Sequence, residues 1–375
     1  MEPRPERLER LPEQYFARLL ARVSAAGASG EPLADLGRGN PDIPPPAHVV
    51  AALAEAAART DTHGYAPFAG LPELKEALAA RYRDVYGVAV DPEREVAVLP
   101  GSKTGLIEFA QVTAERGAAI VLPDPGYPDY RSAVAMAAAE HVALPLLDDG
   151  RPAWETAPER AAALYLNYPS NPVAACAPED VFEETVAWAQ RTRTWVLHDF
   201  AYGDLVFDGR RPQSFLATDG AREVGLELFS MSKSYGMAGW RLGFAIGNAE
   251  LVARIEDLQN HVFAGVFLPV QHAGIAALTG PQDTVEERRA VYEARRDRVL
   301  AALPDVDARS EGTFFVWFRL PEGITAERLL DEHRVAVAPG EGFGARGAGW
   351  ARLSLATPDD RLDLGLARLA EALDG

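Results

Sequence analysis

Apolar positions near the start of the chain recur at helical spacing. Leu8, Leu11, Phe16, Leu19, Leu20 and Val23 fall roughly on one face. Pro12 belongs in a first turn, so the main helix is predicted over about 12–26. The stretch 27–32 breaks it. An alanine-rich helix is expected over 46–59 and another helix over 72–86. From Glu95 the pattern changes to short apolar runs alternating with amphipathic ones. Strands are expected at 96–99, 118–122, 162–167 and 195–199, with helices at 106–115, 129–140 and 179–191 between or beside them. Two further apolar runs, 226–229 and 242–246, flank a turn-rich segment. Strands that alternate with helices imply an α/β protein with a mostly parallel, doubly wound sheet. Ligands bind such sheets at the carboxyl ends of the strands. Beyond Ala249 come helices at 250–259, 269–278 and 284–303. Short strands follow at 314–318, 335–338 and 350–355, then a closing helix over 358–373. This last third reads as a smaller α+β domain. No internal repeat or low-complexity tract interrupts the order.

Composition narrows the class. The chain has 375 residues, 48% hydrophobic and 25% charged, which suits a globular enzyme of one large and one smaller domain. Its formal net charge of -18 should repel nucleic acid and anionic membrane surfaces. Cys176 is the single cysteine, so no intrachain disulfide can form; it reads as a small apolar filler. The first 20 residues mix charged and apolar types, unlike a secretory signal, and no run of roughly 18 apolar residues occurs. A cytoplasmic protein is expected. The histidines are scattered, without metal-ligand spacing, so no metal is expected.

The candidate chemistry begins between the runs 226–229 and 242–246. Ser230, Ser232, Lys233 and Arg241 stand together in that segment. Both serines can donate to phosphate oxygens, and a guanidinium clamps phosphate with two parallel donors. A lysine beside a phosphate site is what a pyridoxal phosphate enzyme needs, because the amine condenses with the cofactor aldehyde while the phosphate fixes the ring. Other pieces follow strands. Gly101-Ser102-Lys103-Thr104 sits where a strand gives way to a helix, a place that binds phosphate and also one where Ser102 could be an ordinary helix cap. Tyr127, with Tyr130 as its local competitor, could supply an apolar face for a flat ring. Asn171 lies in a proline-rich turn. Asp199 closes the run 195–198, and a buried carboxylate there needs a partner.

The spacing Ser-x-Ser-Lys-x5-Gly-x-Arg at 230–241 closely resembles the signature of class I and II aminotransferases, of the aspartate aminotransferase superfamily and fold type I. The resemblance runs in order from Gly39 to Arg352. It implies pyridoxal 5′-phosphate as cofactor, with an aldimine on Lys233, which then moves a proton between substrate and cofactor. Ser102 and Lys103 become backbone donors to the phosphate, with Ser230, Ser232 and Arg241. Tyr127 stacks on the pyridine ring. Asp199 holds the ring nitrogen protonated, and Asn171 and Tyr202 reach the phenolic oxygen. Gly39 approaches the substrate carboxylate, and Arg352 binds it; Arg346 is the alternative for that role. Tyr65 donates to the cofactor phosphate of a neighbouring subunit, so a homodimer with shared active sites is expected. The small domain takes in the N-terminal segment, giving 1–40, then 41–280 for the cofactor domain, then 281–375. Two departures stand out: Val173-Ala174 where relatives usually have Thr-Gly, and Phe200 where they often have Glu.

The expected reaction moves an amino group between an L-amino acid and a 2-oxo acid. Carbon–sulfur β-elimination on the same scaffold is the alternative, since the first steps are shared. A cofactor-binding transcription regulator of this fold would need a preceding DNA-binding domain, for which the pattern leaves no room. The segment 257–270 holds no Lys or Arg, which favours donors with neutral or apolar side chains. Arg38 and Lys103 keep an acidic donor open, and diaminopimelate-type aminotransferases show a similar Gly-Ser-Lys turn.

Overall fold

The computed structural model describes residues 6–28 and 30–373. Seven strands form the main sheet: β1 Val96–Leu99, β2 Ala119–Asp124, β3 Glu140–Pro145, β4 Ala163–Asn167, β5 Trp195–Asp199, β6 Gly225–Ser230 and β7 Gly243–Gly247. Their order is β1-β7-β6-β5-β4-β2-β3. Only β7 runs against the others, pairing antiparallel with both β6 and β1. One edge of the sheet therefore gathers six carboxyl ends and the entry to β7. Along it Leu99 and Ser230 both face Gly243, and Asn167 faces Asp199.

Alternation along the strands splits the core in two. Val96, Val98, Val121, Leu164 and Val196 point to one layer, which holds Leu74, Leu78, Tyr82 and Phe229. Ala97, Leu99, Ile120, Leu122, Tyr165 and Leu197 point to the other, with Phe109, Leu251 and Ile255. Burial on both faces explains why these strands read as continuous apolar runs.

A four-stranded antiparallel sheet carries the smaller unit, in the order Ala338–Pro339, Trp350–Ser354, Phe315–Arg319, Ala308–Arg309. The two-residue strand Ala34–Asp35 pairs in parallel with Val335–Ala336 and ties the N-terminal segment to it. Leu36, Tyr292, Phe318, Leu353, Leu362 and Leu369 share its core. The N-terminal helix, Tyr15–Gly27, buries Val23 against Leu330 and Ala336 of this unit.

Three expectations need correction. The helix expected over 129–140 is only Tyr130–Met136, and residues from Glu140 onward form β3 at the sheet edge. The alanine run favours helix locally, but six parallel pairs with β2 override it, and Ala138 takes a left-handed φ of 53° to make the turn. Ser102 is not a cap: it is the first residue of the helix Ser102–Thr113, preceded by Gly101. The segment after β6 is more ordered than a loop, with a one-turn helix at Met231–Ser234 and a 3-10 turn at Ala238–Trp240. The short helix Ala326–His333 and the strands Ala34–Asp35 and Ala308–Arg309 had no reading in the sequence.

Candidate active site

A cavity of about 460 Å³ opens at the carboxyl edge of the main sheet, beneath the N-terminal helix. It brings together Arg38, Gly39, Ser102, Lys103, Tyr127, Asn171, Asp199, Tyr202, Ser230, Ser232, Lys233, Arg241 and Arg352, thirteen of the fourteen site residues expected from the sequence. Tyr65 is the one outside it: its side chain stands on the surface, 90% exposed.

The floor is built by strand ends. Ser230 ends β6 and caps the following turn, its Oγ accepting from the Ser232 amide at 3.2 Å. That turn projects Lys233 into the cavity. Nζ donates to the Gly39 carbonyl at 3.4 Å and lies 5.7 Å and 5.1 Å from the ring centres of Tyr202 and Phe314. Burial, aided by the positive charge of Arg352 and partly opposed by Asp199, lowers the lysine pKa to about 8. The amine can therefore exist uncharged near neutral pH, as a nucleophile or proton carrier must.

Asp199 ends β5, fully enclosed. Its Oδ2 accepts from the Tyr130 hydroxyl at 2.8 Å and its Oδ1 from the Ala201 amide at 3.3 Å. Burial raises its pKa, and the Tyr130 bond opposes this. The two tyrosines after β2 thus divide their work. Tyr130 is buried behind Asp199, and Tyr127 lines the cavity, its ring 5.9 Å from that of Phe16.

Three features cluster around Gly101. Its φ of 88° favours glycine, and a Cβ there would displace the Arg241 guanidinium. Arg241 itself holds a left-handed φ of 58°, and its Nη1 donates to the Ala238 carbonyl at 2.9 Å. A helix N-terminus, two serines and an arginine converge here, the donor set of an anion site.

Arg352 comes from the smaller sheet, at the middle of Trp350–Ser354. It is almost fully buried, packed on Phe315 at 3.9 Å, Phe343 at 4.9 Å and Phe16 at 5.4 Å from the ring centres. Nη1 donates to Asn171 Oδ1 at 2.7 Å and Nη2 to the Gly37 carbonyl at 3.2 Å, while Nε has no partner. Burial lowers its pKa to about 10, which leaves it charged. A buried cation without a counter-ion suits a carboxylate ligand. Arg346, its rival in the sequence, is exposed outside the cavity, with its backbone amide bonded to Asp124.

Two departures from the pattern have structural homes. Val173 packs near Trp317, leaving the Asn171 side chain in the site. Phe200 is buried against Tyr86 and His198. Sequence reading missed Phe16, Leu19, Leu20 and Phe315, which also line the cavity. The first three had a visible signal, the apolar helix face, which was read as core alone. Among the described residues no His, Cys, Asp and Glu group could hold a metal ion, and no helix is long and apolar enough to cross a membrane.

Comparison with known proteins identifies the family. The family model "Aminotransferase class I and II" matches residues 31–369. The L-glutamine--4-(methylsulfanyl)-2-oxobutanoate aminotransferase of Bacillus subtilis is 43% identical over 95% of this chain and 92% of its own length. An LL-diaminopimelate aminotransferase of Dehalococcoides mccartyi is 38% identical over 97% of each chain. Among solved structures, substrate-bound BacF of Bacillus subtilis superposes with a TM-score of 0.93 at 37% identity, covering 99% of this chain and 98% of its own. Near-complete coverage by relatives that share this fold leaves one assignment: the chain belongs to the class I and II aminotransferases, enzymes that move an amino group between amino and 2-oxo acids.

Proposed function

We propose that this aminotransferase works with pyridoxal 5′-phosphate held at the carboxyl edge of the main sheet, and that Lys233 is both its attachment point and the proton carrier of the reaction. Enzymes of this family depend on that cofactor. The residues fit it on four counts: an anion cradle, an aromatic wall, a buried carboxylate and a buried amine, all in one cavity. The Ser102 and Lys103 amides, Ser230, Ser232 and Arg241 would hold the phosphate. Tyr127 would flank the ring, Asp199 would face the ring nitrogen, and Asn171 and Tyr202 the phenolic oxygen. When bound, the cofactor supplies a carbonyl that takes up the amino group and a cationic ring that draws electron density from the substrate.

The chain's own groups do the rest. Arg352 binds the substrate α-carboxylate with two donors and so fixes which face meets Lys233. The carbonyl of Gly39 steadies the Lys233 amine, and the backbone there is packed to 3.1 Å of Phe315 at the position of a would-be Cβ, so that the loop lies close over the carboxylate. Nζ of Lys233 would be the group that takes the proton from the substrate α-carbon and holds it within the site. Asp199, kept in place by Tyr130, would offer the ring nitrogen an anionic partner.

Phe16, Leu19 and Leu20 give the cavity an apolar wall, which supports a donor with a neutral or apolar side chain. The 4-(methylsulfanyl)-2-oxobutanoate relative is named for such an acid. Arg38, exposed at the mouth, is the candidate contact to the variable part of the substrate. The carbon–sulfur lyase alternative has no support among the named relatives. Tyr65 would serve the phosphate of a partner subunit in a homodimer. The observation that carries the reading is the enclosed Lys233 amine, with its lowered pKa, in the same cavity as Asp199 and as Arg352, whose Nε has no partner. Lys233→Ala should abolish transamination and the absorbance of the cofactor–lysine adduct. Turnover comparable to the unmodified enzyme would overturn it.

A further inference from the structure

Asp129 has no part in the reading above, yet three parts of the site meet on its carboxylate. Its side chain is only 5% exposed. The Tyr127 hydroxyl donates to Oδ2 at 2.7 Å, and Lys103 Nζ meets the same oxygen at 2.7 Å. The Gln14 amide donates to Oδ1 at 2.6 Å. Tyr127 is a wall of the cavity. Lys103 lines it too, from the first turn of the helix at the anion cradle. Gln14 caps the helix that brings Phe16, Leu19 and Leu20 over the opening. Asp129 itself sits behind this wall and does not line it.

The consequence is electrostatic. Lys103 alone would give its side of the cavity a positive charge, a ready partner for the second carboxylate of an acidic amino donor. Paired with a buried aspartate, it does not. A dicarboxylic donor could recruit Lys103 only by drawing it off Asp129, and the buried carboxylate would then keep two neutral donors and no cation. A donor with a neutral side chain requires no such exchange, and it meets Phe16 and Tyr127 beside the pair.

We infer that Asp129 is a specificity-determining residue: by neutralising Lys103 it turns the pocket away from acidic donors and towards neutral ones. This rests on the aminotransferase reading, with the substrate bound in this cavity. It concerns a residue that touches Lys103 and Tyr127 rather than the substrate, so its signature is a change in donor ranking.

The test uses the holoenzyme and follows the half-reaction by the spectral change of the bound cofactor, with L-methionine, L-leucine, L-glutamate and L-2-aminoadipate as donors. Asp129→Asn removes the charge and keeps one acceptor oxygen, for Tyr127 or for Gln14. It should raise the ratio of kcat/KM for glutamate over methionine by about tenfold or more, the scale of one unmasked cation in a partly buried site. Adding Lys103→Gln should erase that gain. Gln14→Ala breaks the helix tie but keeps the ion pair, and should leave the ratio within about twofold. Calorimetry gives a readout independent of turnover: glutarate should bind Asp129→Asn more tightly relative to 4-methylpentanoate. Asp129→Ser removes the same charge through a smaller side chain and should shift the ratio in the same direction. An equal loss for every donor in both Asp129 variants would overturn the inference and reduce Asp129 to a support for Tyr127. A ratio shifted as strongly by Gln14→Ala would overturn it in favour of the helix tie. If the unmodified enzyme converts no amino donor, the aminotransferase reading itself fails.

Discussion

Arg352 brings a full charge into a space walled by Phe16, Phe315 and Phe343, with Nε unbonded. As the proposed α-carboxylate ligand it would meet a group common to all amino acids. Arg352→Ala should therefore weaken every donor together, by roughly 2–5 kcal/mol, because the carboxylate is left buried and unpaired. Arg38 is exposed and would meet only the variable part. Arg38→Ala should lower acidic donors by up to about fivefold, the scale of an exposed ion pair, and spare alanine. One common factor across a donor panel would mean that Arg38 only shapes the loop. Lys233 makes a separate prediction in pH. In the apoprotein, its condensation with an aldehyde, trapped by borohydride, should reach half its maximum near pH 8 and not near the ordinary 10.5. The folded pKa is the lower one, so the unfolded chain binds more protons between pH 8 and 10.5. This group therefore opposes folding fully below that window, and its penalty fades as pH rises through it. A trapping midpoint above pH 10 would remove the basis for both.

At the level of elements, the site depends on how closely the helix Ser102–Thr113 abuts β7. A Cβ on Gly243 would come within 2.6 Å of the Ser102 amide, and one on Gly101 would strike Arg241. Gly101→Ala should push the guanidinium aside and strain φ, raising the apparent Kd for cofactor by about tenfold or more while the far-UV spectrum is preserved. An unchanged Kd, read by equilibrium dialysis, would show that the cradle tolerates the shift. The elements that position the site were legible because they are buried on both faces: β1, β4, β5 and the turn after β6 announce themselves as apolar runs ending in polar residues. The edge was not. β3 is mostly exposed, Glu140 and His141 included, so its sequence lacks the apolar signature, and the alanines before it read as helix. Lys233, Arg241 and Asn171 were legible because each sits in a short pattern of its own. Asp129 was not, because its chemistry comes from Gln14, 115 positions away, and from Lys103 on another helix. No local pattern encodes a meeting of that kind.

On the whole molecule, exposed apolar side chains are concentrated where 63–68 meets 262–267. Tyr65 and Val262 are 90% and 70% exposed, Phe68, Phe263 and Phe267 stand near them, and the His63 and Phe267 rings are 6.1 Å apart. Such a patch fits an interface between copies of the chain. Sedimentation should give a dimer, and Tyr65→Phe should weaken cofactor binding by about tenfold through loss of one charge-assisted bond. Mixing Tyr65→Phe with Lys233→Ala subunits should restore activity, since one hybrid site regains both groups. A fully active monomer, or no recovery on mixing, would sink the shared site. The antiparallel strand β7 has a further consequence, for biosynthesis. β1 is an edge strand whose only neighbour in the sheet is β7, nearly the length of a domain later in the chain. Until the ribosome has added Gly247, β1 has nothing to pair with, and Gly101 and Ser102 have no Arg241 beside them. The nascent chain thus carries an unsealed sheet for most of its synthesis, a state in which bare strand edges invite association and chaperone capture. On the proposed reading, cofactor capture would wait for that closure, and substrate recognition would wait longer still, for the strand Trp350–Ser354.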